Sequence, residues 1–146
     1  MPVYLVKQIT TRYDTSSQPI HNATAELISI AFFYLFRVGD YPIPHKVKVN
    51  GKWERATHIR QFRVQDVGFF KYGQVLPRSS SLETLLSSDS TTLKFSTQKN
   101  DKMGQAIHQE STGPQGAVAC LACRFHHILS NGGSDSRLIC DVIVKG

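Results

Sequence analysis

The segment AFFYLFRVGDY, residues 31–41, constrains this chain more than any other. Large apolar side chains run into Arg37, and an acid, Asp40, follows three positions on. A helix through this run is apolar on nearly all sides, so it belongs inside a core. A guanidinium left there without a partner is strongly destabilising. Arg37 therefore either reaches solvent or meets something negative.

The helix is expected to start at Asn22 as N-cap and to run to about Val38, stopped by Gly39 and Pro42. Residues 1–21 read as a separate polar, turn-rich segment. Beyond the helix, VKVNGKW alternates apolar and polar residues and holds Asn50-Gly51, a strong hairpin signal. QFRVQDVGFF reads as a strand, with Phe62 and Val64 alternating against Arg63 and Gln65. Residues 73–90 are rich in serine and read as a loop. In TLKFSTQKNDKMGQAIHQ, LKFST is one strand of a second hairpin, KNDKMG its turn and QAIHQ the return. Gly113 and Pro114 break the chain before a compact helix, GAVACLACRFHHIL, which ends at Asn131-Gly132-Gly133. The tail RLICDVIVK is a further strand candidate, or an apolar segment without its proper neighbours. The pattern is that of an α+β domain, with helices packed around a small antiparallel sheet. No internal repeat is present.

Charge narrows the partners. Seventeen Lys and Arg face eleven Asp and Glu in 146 residues, a net charge of +6 with pI near 9.4. That excess favours a polyanion, nucleic acid before an anionic membrane surface. Lys46, Lys48, Lys52, Arg55, Arg60 and Arg63 form a basic strip interleaved with Trp53 and His58. The strip either tracks phosphates or forms the exposed side of a sheet. Lys102 adds a cation in the second hairpin. Arg124 and the pair His126–His127 either touch a DNA backbone or lie on a solvated helix face.

Cys120, Cys123 and Cys140 are odd in number and follow no leader-like segment, which points to a reducing compartment. Cys120 and Cys123 form a single CxxC in a helix of small residues. Zinc needs further converging ligands, so no metal is expected and the cysteines read as buried small residues. The apolar stretch from Ile28 to Phe36 falls far short of the roughly 20 residues that cross a membrane. The chain is expected to be intracellular.

Several of these segments, taken in order, resemble one family. AFFYLFRVGDY looks like the first arginine box of the tyrosine recombinases, the phage-integrase-like enzymes. QFRVQDVGFF resembles the strand placed next in that family, with Asp66-Val67 at its end. LKFSTQKNDKMG resembles the hairpin that bears the family's lysine, with Ile107-His108-Gln109-Glu110 as the strand leading out. GAVACLACRFHHIL resembles the helix that follows. The ordered set spans residues 22–130 and looks most like integrase-like proteins of eukaryotic mobile elements.

The resemblance implies that Arg37 binds a scissile phosphate, that Lys99 is the general acid for the leaving 5′ oxygen, and that Asp40 supports the arginine. It implies DNA recombination and integration as the ancestral activity. DNA is then the partner, with other recombinase subunits beside it and no small-molecule cofactor. A nuclear location in a eukaryote follows. The sequence departs from the family pattern in two places. It contains no His-x-x-Arg, and no Tyr follows Tyr72. Residues 22–146 would thus be a partial catalytic domain lacking its C-terminal part, inactive alone. A second reading needs no catalytic ancestry. It is a small basic nucleic-acid-binding or interaction module in which Arg37 is structural and Lys46, Lys48, Lys52, Arg60 and Arg63 matter.

Overall fold

A computed structural model describes residues 3–14, 17–34, 46–55, 62–94, 106–114 and 116–143. These form a small α+β fold with four helices and a four-stranded antiparallel sheet.

The chain opens with α1, Val3–Asp14, where the sequence suggested turns. Val6 is buried and α1 packs on α2, Pro19–Phe33, so tertiary burial decides the conformation of a segment whose composition looked polar. Helix α2 begins four residues earlier than Asn22 suggests. Gln18 is its N-cap and Pro19 its first residue, a position where the fixed φ and missing N–H of proline cost nothing. It ends at Phe33, with Tyr34 as C-cap, short of the expected Val38. Ala23, Ala25, Ser29, Ile30 and Tyr34 are buried, while Ile20 at the outer end is exposed.

Strands β1, Lys46–Val49, and β2, Lys52–Arg55, make a two-stranded sheet of their own. Asn50 (φ 49°) and Gly51 (φ 82°) form the turn, as the Asn-Gly pair predicts.

The four-stranded sheet has the order β4-β3-β5-β6. Strand β3 is Val67–Lys71, β4 is Gln74–Val75, β5 is Ser90–Lys94 and β6 is Ala106–Glu110. Phe69 stands opposite Thr91 and Thr91 opposite Gln109; Val67 stands opposite Leu93 and Leu93 opposite Ile107. This row faces the core, while Ala106, His108 and Glu110 are exposed on the other face of β6. Asp66-Val67 therefore opens a strand rather than ending one. Before it, Val64–Asp66 form a single 3₁₀ turn. The backbone N–H of Arg63 donates to Asp66 Oδ2 at 2.9 Å and that of Asp66 to the Arg63 carbonyl at 3.0 Å.

The serine-rich stretch is more ordered than its composition implies. It contains β4 and a short helix, α3, Leu82–Leu86. Ser81 caps α3 by accepting from the Thr84 N–H at 3.2 Å, and Leu85 sits in the core. Serine here supplies caps and turn bonds rather than disorder.

Helix α4, Ala117–Ser130, runs through the middle of the fold. Ala117 to Ala122, Arg124, Phe125 and Ile128 are all buried. Its C-terminus is a Schellman motif. The Gly133 N–H donates to the Ile128 carbonyl at 2.8 Å and that of Gly132, at φ 82°, to Leu129 at 3.2 Å. The tail does find neighbours. Leu138 bridges Arg63, the Val64 N–H donates to the Arg137 carbonyl, and the Ile139 N–H donates to the Phe62 carbonyl, each at 2.9 Å. Leu138 and Ile139 are buried.

One turn is chemically unusual. Lys71 and Gln74 pair across Tyr72 (φ 51°) and Gly73 (φ 73°). A bulky side chain in the left-handed region is disfavoured by roughly 1 kcal/mol. Tyr72 is 86% exposed, so little packing offsets that cost. Tyr72→Asn is expected to raise the urea-unfolding free energy by about 1 kcal/mol. A fall would mean that the phenol contributes more than the turn strain removes.

Candidate functional site

Two chain segments bracket the residues that the sequence singled out. One is the C-terminal end of α2 at Phe33, four residues before Arg37. The other is the β5–β6 ladder, whose connection, 95–105, contains Lys99 and Lys102. Arg37, Asp40, Arg60, Lys99 and Lys102 themselves lie outside the described residues.

The two segments are joined. Gln109 Nε2 on β6 donates to the Phe33 carbonyl at 2.8 Å, satisfying one of the acceptors that the last turn of α2 leaves open. Tyr34 is buried beside Thr91 on β5. Burial pushes its phenol well above the ordinary value, and the Thr91 hydroxyl opposes that only in part. Thr91 Oγ1 in turn donates to the Gly68 carbonyl at 2.8 Å. The end of α2 is thus held on the core face of β5 and β6. From Gln109 to Ala106, which faces Lys94 where the connection opens, is about 10 Å along an antiparallel strand.

A second polar cluster lies behind this, around Arg124. The sequence left this residue between a DNA contact and a solvated face, and the structure gives it neither role. Arg124 is 2% exposed. Its Nη1 lies 3.6 Å from Glu26 Oε2 on α2. Nε donates to the Ile139 carbonyl at 3.3 Å and Nη2 to the Asp141 carbonyl. One guanidinium therefore ties α4 to α2 and to the C-terminal segment. Burial pulls its pKa down, and the charge of Glu26 pulls it back up. The clue lay in the sequence: Arg124 interrupts an apolar run, as Arg37 does in its own segment.

A cleft of about 370 Å³ opens beside this pair, lined among others by Glu26, Cys123, Arg124, His126 and His127. Burial and the nearby Arg124 charge hold the His127 pKa below its ordinary value, so the ring favours its neutral form. Cys120 is buried, and among the described residues Cys120 and Cys123 form no disulfide. Among the described residues no three His, Cys, Asp or Glu side chains are grouped as metal ligands.

The basic strip divides. Lys48 and Lys52 are exposed. Arg63 is half-buried, and its Nη1 donates to the Ser136 carbonyl at 2.5 Å, so it serves the fold. Arg78, which the sequence did not single out, has a similar task. Its guanidinium donates to the Val64 and Gln65 carbonyls at 3.1 and 2.8 Å and pairs with Asp135 at 3.2 Å.

No protein-family model, no curated protein and no solved structure matches the chain. No helix among the described residues is long and apolar enough to cross a membrane.

Proposed function

We propose that this chain is part of the catalytic domain of a DNA-breaking-and-rejoining tyrosine recombinase of the mobile-element type. In this reading Arg37 and Lys99 act on one DNA phosphate. The observation that carries the reading is the bond from Gln109 to the Phe33 carbonyl, with Tyr34 packed beside Thr91. It ties the helix that leads to Arg37 to the hairpin that leads to Lys99. The order of elements also supports it: core helix, strand, antiparallel hairpin, core helix.

The chemistry follows from the residue types. The planar fork of Arg37 engages two non-bridging oxygens and stabilises the charge that grows on them. Asp40 orients that fork. Lys99 gives a proton to the leaving 5′ oxygen. The attacking phenol that would form the phosphotyrosine is not among the residues after Tyr72. The chain should therefore bind DNA without cutting it.

Binding of a labelled duplex of about 30 base pairs, titrated against salt, tests the reading. Arg37→Ala and Lys99→Ala should each weaken affinity roughly 10- to 100-fold and lower the salt slope by about 1. Affinity and slope unchanged in both variants would leave the reading without support.

A further inference from the structure

Residues 140–143 lie along α4 as a half-buried strap, with Ile143 packed against the core. Three side chains tether it. Arg124 Nη2 donates to the Asp141 carbonyl. Arg137 Nη1 pairs with the Asp141 carboxylate at 3.3 Å on the outer side. The His127 ring meets the main chain of Ile143.

The surroundings of that ring suit its neutral form. His127 Nδ1 faces the Asn131 amide nitrogen at 3.5 Å, a group that only donates, so Nδ1 accepts. A proton on Nδ1 would set donor against donor. His127 Nε2 is shielded from water. Arg124 lies one turn earlier on the same face of the helix, and its charge is buried. Burial first, and the Arg124 charge second, hold the ring pKa below its ordinary value; the Ile143 main chain opposes them only in part, and His126 adds to them. The neighbouring acids are committed elsewhere. Glu26 of α2 pairs with Arg124, and the Asp141 carboxylate pairs with Arg137. Burial pushes the Cys140 thiol up, which keeps it neutral, and Cys123 and His126 line the same cleft as His127.

We propose that residues 140–143 form an acid-released strap, freed from α4 when the His127 ring takes up a proton. Lifting the strap lets water reach Nε2, so the open form binds the proton more readily than the closed form. The contribution of His127 to closure is therefore complete above the ordinary value of 6.5 and is lost as pH falls from there through the lower value of the closed form. A single proton shifts the closed-to-open ratio by at most about tenfold per pH unit. The pairing of Arg137 and Ile139 with residues 62–64 stays in place, because it consists of backbone bonds that do not titrate. Arg124 and His127 also line the cleft of about 370 Å³, so release changes one wall of that cleft. None of this requires the recombinase reading.

Amide hydrogen exchange on the full chain, followed from about pH 7.5 to about pH 5 and expressed as protection factors, tests the strap. The Asp141 N–H, bonded to the Leu138 carbonyl at 3.0 Å, reports on the strap. The Ile139 N–H, bonded to the Phe62 carbonyl at 2.9 Å, reports on the core beneath it. Protection at Asp141 should fall about three- to tenfold per pH unit below about 6.5, while that at Ile139 holds. His127→Gln should flatten the Asp141 profile, and His126→Gln should leave it sloping.

A flat Asp141 profile in the parent chain would overturn the strap. An unchanged slope in His127→Gln would overturn the role of His127 and assign the proton to another group. Parallel losses at Asp141 and Ile139 would mean global unfolding and would overturn local release. If His127→Gln does not fold, the NMR titration of the His127 Cε1–H in the parent chain decides. A midpoint below 6.5 supports the strap, and one at or above 6.5 overturns it.

Discussion

Arg124→Ala should lose about 3 to 5 kcal/mol of folding free energy, measured by urea unfolding. The guanidinium is almost wholly buried, and three groups depend on it: the Glu26 carboxylate and the carbonyls of Ile139 and Asp141. Truncation leaves Glu26, with a side chain only 16% exposed, without its counter-charge. It also strands two acceptors, each costly to leave unpaired. A domain of this kind has roughly 5 to 15 kcal/mol in total, so the variant should be close to unfolding. The charge itself is not what makes the site stable. Replacing both partners by apolar residues, as in Arg124→Met/Glu26→Leu, should recover much of the loss, because no lone ion is then left buried. If Arg124→Ala unfolds like the parent chain, Arg124 does not hold α4, α2 and the tail together.

Phe125→Ala should cost a similar amount, about 3 to 5 kcal/mol. The ring is 1% exposed and meets Phe69 of β3 edge to face, with centroids 5.2 Å apart. The Arg78 guanidinium lies over it at 5.8 Å. Truncation removes this ring contact between α4 and β3 and leaves a cavity that rigid neighbours cannot close. Phe125→Leu keeps most of the volume and should cost less than about 1.5 kcal/mol. Equal losses from both variants would mean that ring geometry outweighs volume at this position.

Much of the fold was legible because local signals agreed with tertiary ones. Asn50-Gly51 set a turn that only residues tolerant of positive φ can make. Gly132 and Gly133 set the end of α4. QAIHQ marked β6, whereas LKFST meets β5 only at Leu93 and Lys94. The misreadings arose where burial or capping overrode composition. Val3–Asp14 is a helix because Val6 has α2 to pack on, and no local property of the segment announces that partner. The serines around Leu82–Leu86 cap a helix rather than dissolve one. RLICDVIVK pairs with Phe62–Val64 across about half the chain, a distance that sequence pattern cannot bridge.

The site was legible in part. An arginine within an apolar run signals an electrostatic commitment, and at Arg124 the structure shows one; the sequence carries the same signal at Arg37, and the signal alone does not separate the tasks of the two. Arg124 spends its hydrogen bonds within the fold. Gln109, the link between α2 and the hairpin, carries no sequence mark, because its value comes only from the carbonyl it meets.

A double-mutant cycle on Arg37 and Lys99, read as duplex affinity at fixed salt, tests the central claim most directly. Two groups that hold the same phosphate should be coupled, with the double variant departing from additivity by at least about 0.5 kcal/mol. Strict additivity, with each loss independent of the other residue, would contradict a shared phosphate and with it the recombinase reading.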